Sequence, residues 1–508
     1  MTALNQDTTI GIIGAGTMGA GIAQVAATAG HPVLLFDAAE GAAEAGIERT
    51  RKGMGRLVER GKMSAEEVDA IIGRITPVAA TADLAPAGLV VEAIVEDLTI
   101  KQKVFAEIEN LCGEDVILGT NTSSISVTAI GAGLQRPERL VGMHFFNPAP
   151  ILKLVEVVSG IATDNAVAET VHDTAAAWGK QPVHARSTPG FIVNRVARPF
   201  YAEALRVLEE GGADVATIDA ALKESGGFRM GPFELMDLIG QDVNFAVTNS
   251  VFNAYFQDPR FLPSLLQREY VEGGLLGRKS GRGFYDYREG AENPRPASAA
   301  AGPKPESVTV EGDLGIAEPL VAAMEAAGIQ VERSGSDEEE GYIHVGPTTL
   351  ALTDGRLATE RAFEEELDEL VVFDLALDFA EAKRAVIAAA DQAPRAAVER
   401  AAGLFQALGR EVSVIDDVPG LIVMRTVCML ANEGADAVNQ GVCDAAGVDT
   451  AMKGGVNYPR GPLAWADAIG LPEVCQVLDS LAVVYGLDRY RVSPLLWRKV
   501  YAGAGFHE

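Results

Sequence analysis

The sequence predicts an α/β domain with a doubly wound parallel sheet, followed by an all-α helical domain, a degenerate second α/β segment and a duplicated copy of the helical domain. Three observations carry this. Residues 10–37 read as strand, glycine turn, helix and strand. After Thr188-Pro189-Gly190 the alternation of strands and helices gives way to helical spacing alone. Sliding the chain against itself by 230 residues places Pro189-Gly190-Phe191-Ile192-Val193 on Pro419-Gly420-Leu421-Ile422-Val423.

The apolar run Ile10 to Ile13 enters a turn with Gly14, Gly16 and Gly19; a helical pattern runs to Ala29, Gly30 closes it, and a second apolar run from Val33 ends at Asp37. Gly14 permits the tight turn, Gly16 lets the backbone approach a pyrophosphate, and Gly19 lets helix and strand pack closely. The free N–H groups at the helix start favour an anion there. Asp37 lies 18 residues after Gly19, where a carboxylate accepts both ribose hydroxyls of an adenosine and repels a 2′-phosphate. This is a Rossmann-like dinucleotide-binding domain over residues 1–187, reading NAD in preference to NADP, with Met18 in the same turn among the cofactor contacts.

The 508 residues suffice for about three domains. The formal charge of −29 disfavours nucleic acid and anionic membranes as partners, so an anionic ligand needs a local basic pocket. Cys112, Cys428, Cys443 and Cys475 lack CxxC spacing, so no metal site is expected and the thiols read as reduced, in a cytoplasmic protein. No signal peptide or membrane span is expected.

From Ala38 to Ile75 the pattern is helical and carries a basic cluster that includes Lys52 and Arg56. It is either a docking place for an anionic tail or a solvated face balanced by neighbouring glutamates. Ala87 to Ala93 reads as a strand, Glu96 to Ile108 as a helix, and Val116 to Thr120 as a strand ended by Asn121-Thr122-Ser123-Ser124. Ligands of a doubly wound sheet bind beyond the carboxyl ends of its strands, so Glu96, Asn121 and Ser123 line the crevice of the glycine turn; Ser124 reads as a helix N-cap. The runs Leu140 to Phe146 and Leu152 to Val158 flank Asn147-Pro148-Ala149-Pro150, with His144 and Glu156 equidistant from Pro150. Paired as a hairpin, they bring a histidine against a carboxylate, the arrangement a general base uses.

Helices are expected over Phe191 to Glu210, Val215 to Glu224 and Pro232 to Phe256, giving a helical domain over 188–290 and a Pro/Ala linker over 291–306. The 230-residue shift runs without a gap from about residue 163 to 278 and aligns Glu203 with Glu433 and Asp237 with Asp467. It assigns 416–508 to the second helical copy and leaves 307–415 as a small α/β domain without the chemistry. There His144 maps to Asp374, Glu156 to Val386 and Asn194 to Met424, and Gly312-Asp313-Leu314-Gly315 is at most a remnant of a glycine turn. The second half is expected to be catalytically silent, pairing its helical domain with the first copy as an internal pseudo-dimer, with a homodimer still open.

GIIGAGTMGAGIAQ, VVEAIVEDLTIKQKVF, NTSSISVTAI, HFFNPAPILKLVEVV, TPGFIVNR and MGPFELMDLIG resemble the 3-hydroxyacyl-CoA dehydrogenase family. The long form is similar to members that oxidise 3-hydroxyadipyl-CoA in phenylacetate degradation, and also to 3-hydroxybutyryl-CoA dehydrogenases of fatty-acid or butanoate metabolism. The resemblance implies an NAD-dependent oxidoreductase of an acyl-CoA, with His144 as general base, Glu156 orienting it, and Ser123 and Asn194 holding the substrate oxygen and thioester. It further implies NAD contacts by Asp37, Glu96, Lys101, Ser123 and Asn147. Single-copy relatives carry a lysine for the CoA phosphates where this sequence has Leu57, which leaves Arg56 or Lys52 as candidates. A dicarboxylic acyl chain needs a cation at the far end, for which Arg195, Arg198 and Arg229 are available. A rival dehydrogenase of free hydroxy acids would use a lysine such as Lys180 and leaves His144 and Glu156 unexplained.

Overall fold

The strand β1 (Ile10–Ile13) is buried along its whole length because parallel strands cover both of its edges. The computed structural model describes residues 3–336 and 341–507. Contacts divide the chain into two units, one holding residues up to 195 together with 440–456, the other holding 196–439 and 457 onward.

The first unit contains an eight-stranded sheet of β1, β2 (Val33–Phe36), β3 (Ile75–Val78), β4 (Leu89–Glu92), β5 (Ile117–Thr120), β6 (Leu140–Phe145), β7 (Leu154–Ser159) and β8 (Gln181–Arg186), in the order β3-β2-β1-β4-β5-β6-β7-β8. Pairing is parallel from β3 to β6, antiparallel between β6 and β7, and parallel between β7 and β8. Strand order reverses between β1 and β4, so the ligand crevice opens beyond their carboxyl ends. The helices are α1 (Thr17–Thr28), α2 (Ala42–Glu59), α3 (Ala65–Ile72), α4 (Leu98–Leu111), α5 (Val127–Gly131) and α6 (Asn165–Ala177). Ile10, Ile12, Val33, Leu35, Leu89 and Val91 pack with Ile22, Ala23 and Ala26 of α1 into one core. The expected helical stretch to Ile75 holds two helices and ends in β3, which the short run Ile75–Val78 signals weakly. The helix Ala445–Val456 packs on β7 and β8, so this part of the expected 416–508 domain groups with the first unit.

The second unit repeats this plan in reduced form. Its seven strands are β9 (Ser307–Glu311), β10 (Gln330–Ser334), β11 (Tyr342–Val345), β12 (Thr348–Leu352), β13 (Leu370–Phe373), β14 (Arg384–Ala389) and β15 (Glu411–Val414), in the order β10-β9-β11-β12-β13-β14-β15. β14 lies 230 residues after β7, and the helix Arg395–Ala407 lies 230 after α6, so the duplication reaches into the α/β part. The place of β4 is taken by β11, which runs antiparallel to both neighbours and turns straight into β12 at Gly346 (φ +60°). That hairpin replaces the crossover helix α4, and no counterpart of β3 occurs among the described residues.

The helices of the second unit are shorter than the spacing suggests. Gly240, at φ +101°, splits Pro232–Ile239 from Gln241–Ala254, and the helix from Val215 widens to a π-turn over Ala221–Ser225. The helix Arg198–Glu209 packs against Val423–Asn439 through buried ion pairs. Glu203 accepts from Arg489 at 2.9 Å, from Arg425 at 3.3 Å and from Tyr490 Oη at 3.0 Å. Its equivalent under the 230-residue shift, Glu433, meets Arg260 at 3.3 Å. Burial pushes the Glu203 carboxyl up, but the charges of Arg489 and Arg425 outweigh it and hold the group below the ordinary value.

Removing one partner of a buried pair strands the other charge, so Glu203→Ala is expected to cost about 3–5 kcal/mol in denaturant unfolding of the full chain. Because the folded value is depressed, the Glu203 contribution is present above about pH 4.3 and fades as pH falls through the folded value. The variant's stability curve should therefore lose that acid limb.

Candidate active site

The three glycines of the turn after β1 do different work. A Cβ on Gly14 (φ +101°) would sit 2.4 Å from the Ala93 carbonyl oxygen, and one on Gly19 would sit 1.8 Å from that of Gly14. A Cβ on Gly16 meets nothing within 4 Å. Two glycines therefore serve the protein's own packing, and Gly16 keeps room for something from outside. Gly16 is also the N-cap of α1 and has no side chain to satisfy the first-turn N–H groups. Asp37 is half-buried beside the turn, its Oδ2 accepting from Ala15 N at 2.7 Å and its Oδ1 from Ala39 N at 2.9 Å. An open cradle of backbone donors with a carboxylate at its far edge fits a pyrophosphate and an adenosine ribose. Met18 is half-buried in the same turn.

Across the switch point, Glu96 organises the loop after β5. Its Oε1 accepts from Thr122 Oγ1 at 2.6 Å, from the backbone N–H groups of Ser123 at 3.0 Å and Ser124 at 3.1 Å, and from Ser124 Oγ at 3.0 Å. Burial alone would raise the Glu96 carboxyl; the Thr122 bond and the Lys101 charge reverse that and hold it low. Ser123 is thereby presented exposed, while Asn121 Oδ1 accepts from Phe145 N at 2.8 Å and ties this loop to β6. Ser124 is not the helix cap; Ser126 caps α5, because Ser124 is spent on Glu96. Lys101, expected as a cofactor contact, lies behind Glu96. It is 1% exposed and pairs with Glu92 at 2.6 Å and Glu96 at 3.2 Å. Glu92, fully buried at the end of β4, is the partner that sequence reasoning missed; only its following a run of buried aliphatics hinted at it.

The β6/β7 register sets His144 opposite Glu156. His144 Nδ1 lies 2.6 Å from Glu156 Oε2, and the ring is 5% exposed between Phe146 and Phe191, whose centroids are 4.5 and 5.7 Å away. Glu156 is 0% exposed, and its Oε1 accepts from the backbone N–H groups of Ile192 at 3.0 Å and Val193 at 2.9 Å. The carboxylate thus sits on the N-terminus of the short helix Val193–Val196, which carries half-buried Asn194. Asn147 is exposed just beyond β6. Cys443 also approaches from the 440–456 segment; burial and the Glu156 charge push its thiol up to about 12. Gly455 touches the same walls, since a Cβ there would meet Leu154, Val193 and Phe146.

Other candidates are placed elsewhere. Lys52 and Arg56 are exposed on α2. Arg195 is 1% exposed and donates to Gln440 Oε1 at 2.9 Å, and buried Arg198 donates to Thr248 Oγ1 at 3.1 Å, so neither guanidinium stands open for an acyl carboxylate. Arg229 is exposed in the second unit. Lys180 is held by the carbonyls of Ala149 and Leu152.

Comparison with known proteins follows the same division. The NAD-binding domain of 3-hydroxyacyl-CoA dehydrogenase matches residues 9–188, and the C-terminal domain of the same family matches 190–287 and again 420–505. The chain belongs to the 3-hydroxyacyl-CoA dehydrogenase family. A third match, to a reduced Rossmann-fold domain of 3-hydroxybutyryl-CoA dehydrogenase, covers 350–419. The 3-hydroxyadipyl-CoA dehydrogenase of Escherichia coli K12 is 44% identical over 503 residues, 98% of each chain. A probable 3-hydroxybutyryl-CoA dehydrogenase of Bacillus subtilis is 42% identical over 278 residues, 55% of this chain and 96% of its own. A crystal structure of an E. coli K12 3-hydroxybutyryl-CoA dehydrogenase superposes with a TM-score of 0.89 at 44% identity, over 98% of this chain and 99% of its own. The protein is accordingly an NAD-dependent 3-hydroxyacyl-CoA dehydrogenase, with a Rossmann-like domain, a helical domain and a second sheet.

In this dehydrogenase the turn glycines should separate by experiment. Gly16→Ala is expected to leave the melting temperature unchanged while weakening NAD binding measured by calorimetry. Gly19→Ala should lower the melting temperature, since its methyl group overlaps the Gly14 carbonyl.

Proposed function

We propose that this dehydrogenase oxidises 3-hydroxyadipyl-CoA to the 3-oxoacyl-CoA, with the catalytic residues drawn from the first unit. The substrate reading rests on the match to the E. coli 3-hydroxyadipyl-CoA dehydrogenase along 98% of both chains, whereas the B. subtilis relative covers only 55% of this chain. A second reading, 3-hydroxybutyryl-CoA, is favoured by the full-length likeness to the E. coli 3-hydroxybutyryl-CoA dehydrogenase structure.

The proposed chemistry follows from how His144 is held. Glu156 Oε2 takes the Nδ1–H, which leaves the Nε2 lone pair to accept the proton of the 3-hydroxyl. Bound NAD supplies the acceptor for the hydride that leaves C3. As the imidazolium forms, its charge stands beside a carboxylate that cannot swing away, because Ile192 and Val193 hold its other oxygen. Phe146 and Phe191 keep water from the ring and so strengthen that attraction. In this reading Ser123 and Asn194 donate to the substrate oxygens, and Asp37, Glu96 and Asn147 contact NAD. The CoA phosphates fall to Arg56 or Lys52 by charge alone.

The second half acts in this reading as the internal partner of the first. The packing of Ala445–Val456 on β7 and β8, and of Val423–Asn439 on Arg198–Glu209, supports that role. Free thiols at Cys112, Cys428, Cys443 and Cys475 suit a cytoplasmic setting. Among the described residues no single helix is long and apolar enough to cross a membrane.

His144→Gln is expected to lower kcat by about 10²–10⁴ with NAD affinity intact; a parallel loss of NAD binding would make His144 structural. Specificity constants for NAD reduction with 3-hydroxyadipyl-CoA and with 3-hydroxybutyryl-CoA decide the substrate. Preference for the six-carbon dicarboxylyl thioester is expected, and preference for the four-carbon one would establish the second reading.

A further inference from the structure

Two of the six histidines lie together on the first unit, away from the catalytic pair. Glu169 and His172 sit on α6 three residues apart, on neighbouring positions of one helix face. His184 stands on β8, and one ligand-capable atom of each of the three lies within 4.8 Å of the other two. The imidazole rings stack with centroids 4.5 Å apart and planes 8° from parallel. Glu169 Oε1 is 3.5 Å from His184 Nε2, and Asp173 Oδ1 is 3.4 Å from His172 Nδ1. Strand alternation separates this group from the chemistry: β8 pairs Val183 with Glu156 and His184 with Val157, so the His184 and Glu156 side chains point to opposite faces of the sheet. The cluster borders a cleft of about 1050 Å³ whose other wall is the 440–447 stretch, including Asp444.

We propose that Glu169, His172 and His184 form a binding site for a borderline transition-metal dication of the zinc class, with Asp444 facing the open coordination position. Two imidazoles and one carboxylate make up a ligand set that zinc accepts and that calcium or magnesium, which take oxygen ligands, do not. Zinc–nitrogen bonds of about 2.0–2.1 Å place tetrahedral ligands roughly 3.4 Å apart. Glu169 Oε1 and His184 Nε2, 3.5 Å apart, already stand near that spacing. Both supporting elements are rigid: α6 packs on β8, and β8 is paired with β7 over six residues. Asp173 supplies the outer carboxylate that orients a metal-bound imidazole. A surface of net charge −29 draws dications toward it. The bound ion would tie the 440–447 stretch to the edge strand, next to the bond from Arg186 N to the Val442 carbonyl at 2.8 Å.

The test uses the full chain, stripped with EDTA and titrated with zinc chloride in a calorimeter, with magnesium chloride as the parallel arm. One zinc per chain at this site is expected, with no magnesium uptake. His172→Ala and His184→Ala should each weaken zinc binding by about 100-fold, and Asp173→Asn by about 10-fold. Zinc should raise the melting temperature of the unsubstituted chain in a concentration-dependent way and fail to do so in the double variant. Because both rings are half-exposed, unchanged far-ultraviolet dichroism of the variants keeps the comparison valid, and His144→Gln, on the other sheet face, should bind zinc normally. No zinc uptake at sub-millimolar concentration, or a loss below about 10-fold in the double variant, overturns the proposal.

Discussion

A carboxylate set against the N-terminus of the helix that follows Pro-Gly is the interaction on which both halves of this protein depend. In the first half Glu156 receives the N–H groups of Ile192 and Val193. In the second half the equivalent residue is Val386, and Asp374, equivalent to His144, reaches the same place instead. It accepts from Ile422 at 2.9 Å, Val423 at 2.7 Å and Met424 at 2.9 Å. Burial pushes the Asp374 carboxyl up to about 6, against the pull of those backbone donors. The residue at the second position after each proline, Phe191 at φ +46° and Leu421 at φ +49°, adopts the same sparsely populated conformation. What both copies keep is an anion for the unpaired helix donors. What only the first keeps is a histidine on the anion's other oxygen.

That division shows how the second half keeps the helix contact without a histidine–glutamate pair. One acidic side chain moved from strand β7 to the position of strand β6 and still met the helix. Among the described residues the second half lacks counterparts of the edge strand β3 and of the crossover helix α4. The reversed strand β11 closes the gap by a hairpin, which needs no crossover helix. The buried contacts of Glu203 and Glu433 with arginines of the opposite helical copy persist, because breaking either would strand a charge away from water.

The site was legible where function depends on local spacing or on two strands joined by a short turn. The glycine turn, Asp37 and the opposition of His144 to Glu156 are of this kind. Where a long side chain had several partners within reach in the folded chain, the sequence did not show which one it took. Lys101, which the resemblance sets among the cofactor contacts, is buried against two glutamates. Arg195 and Arg198 look like free cations near the chemistry and are instead spent on Gln440 and Thr248. Ser124 has the composition of a helix cap, and Glu96 claims it first.

The sequence by itself determined the cofactor domain, the opposition of His144 to Glu156 and the duplication, because glycine sterics, strand period and repeat register act within short windows and survive any arrangement of the remainder. Tertiary structure alone decided which charges are buried, which copy's helix lies against β7 and β8, and that His184 meets Glu169 and His172. Those outcomes rest on strand order and side-chain burial, where desolvation favours whichever partner lies nearest in space, regardless of separation along the chain.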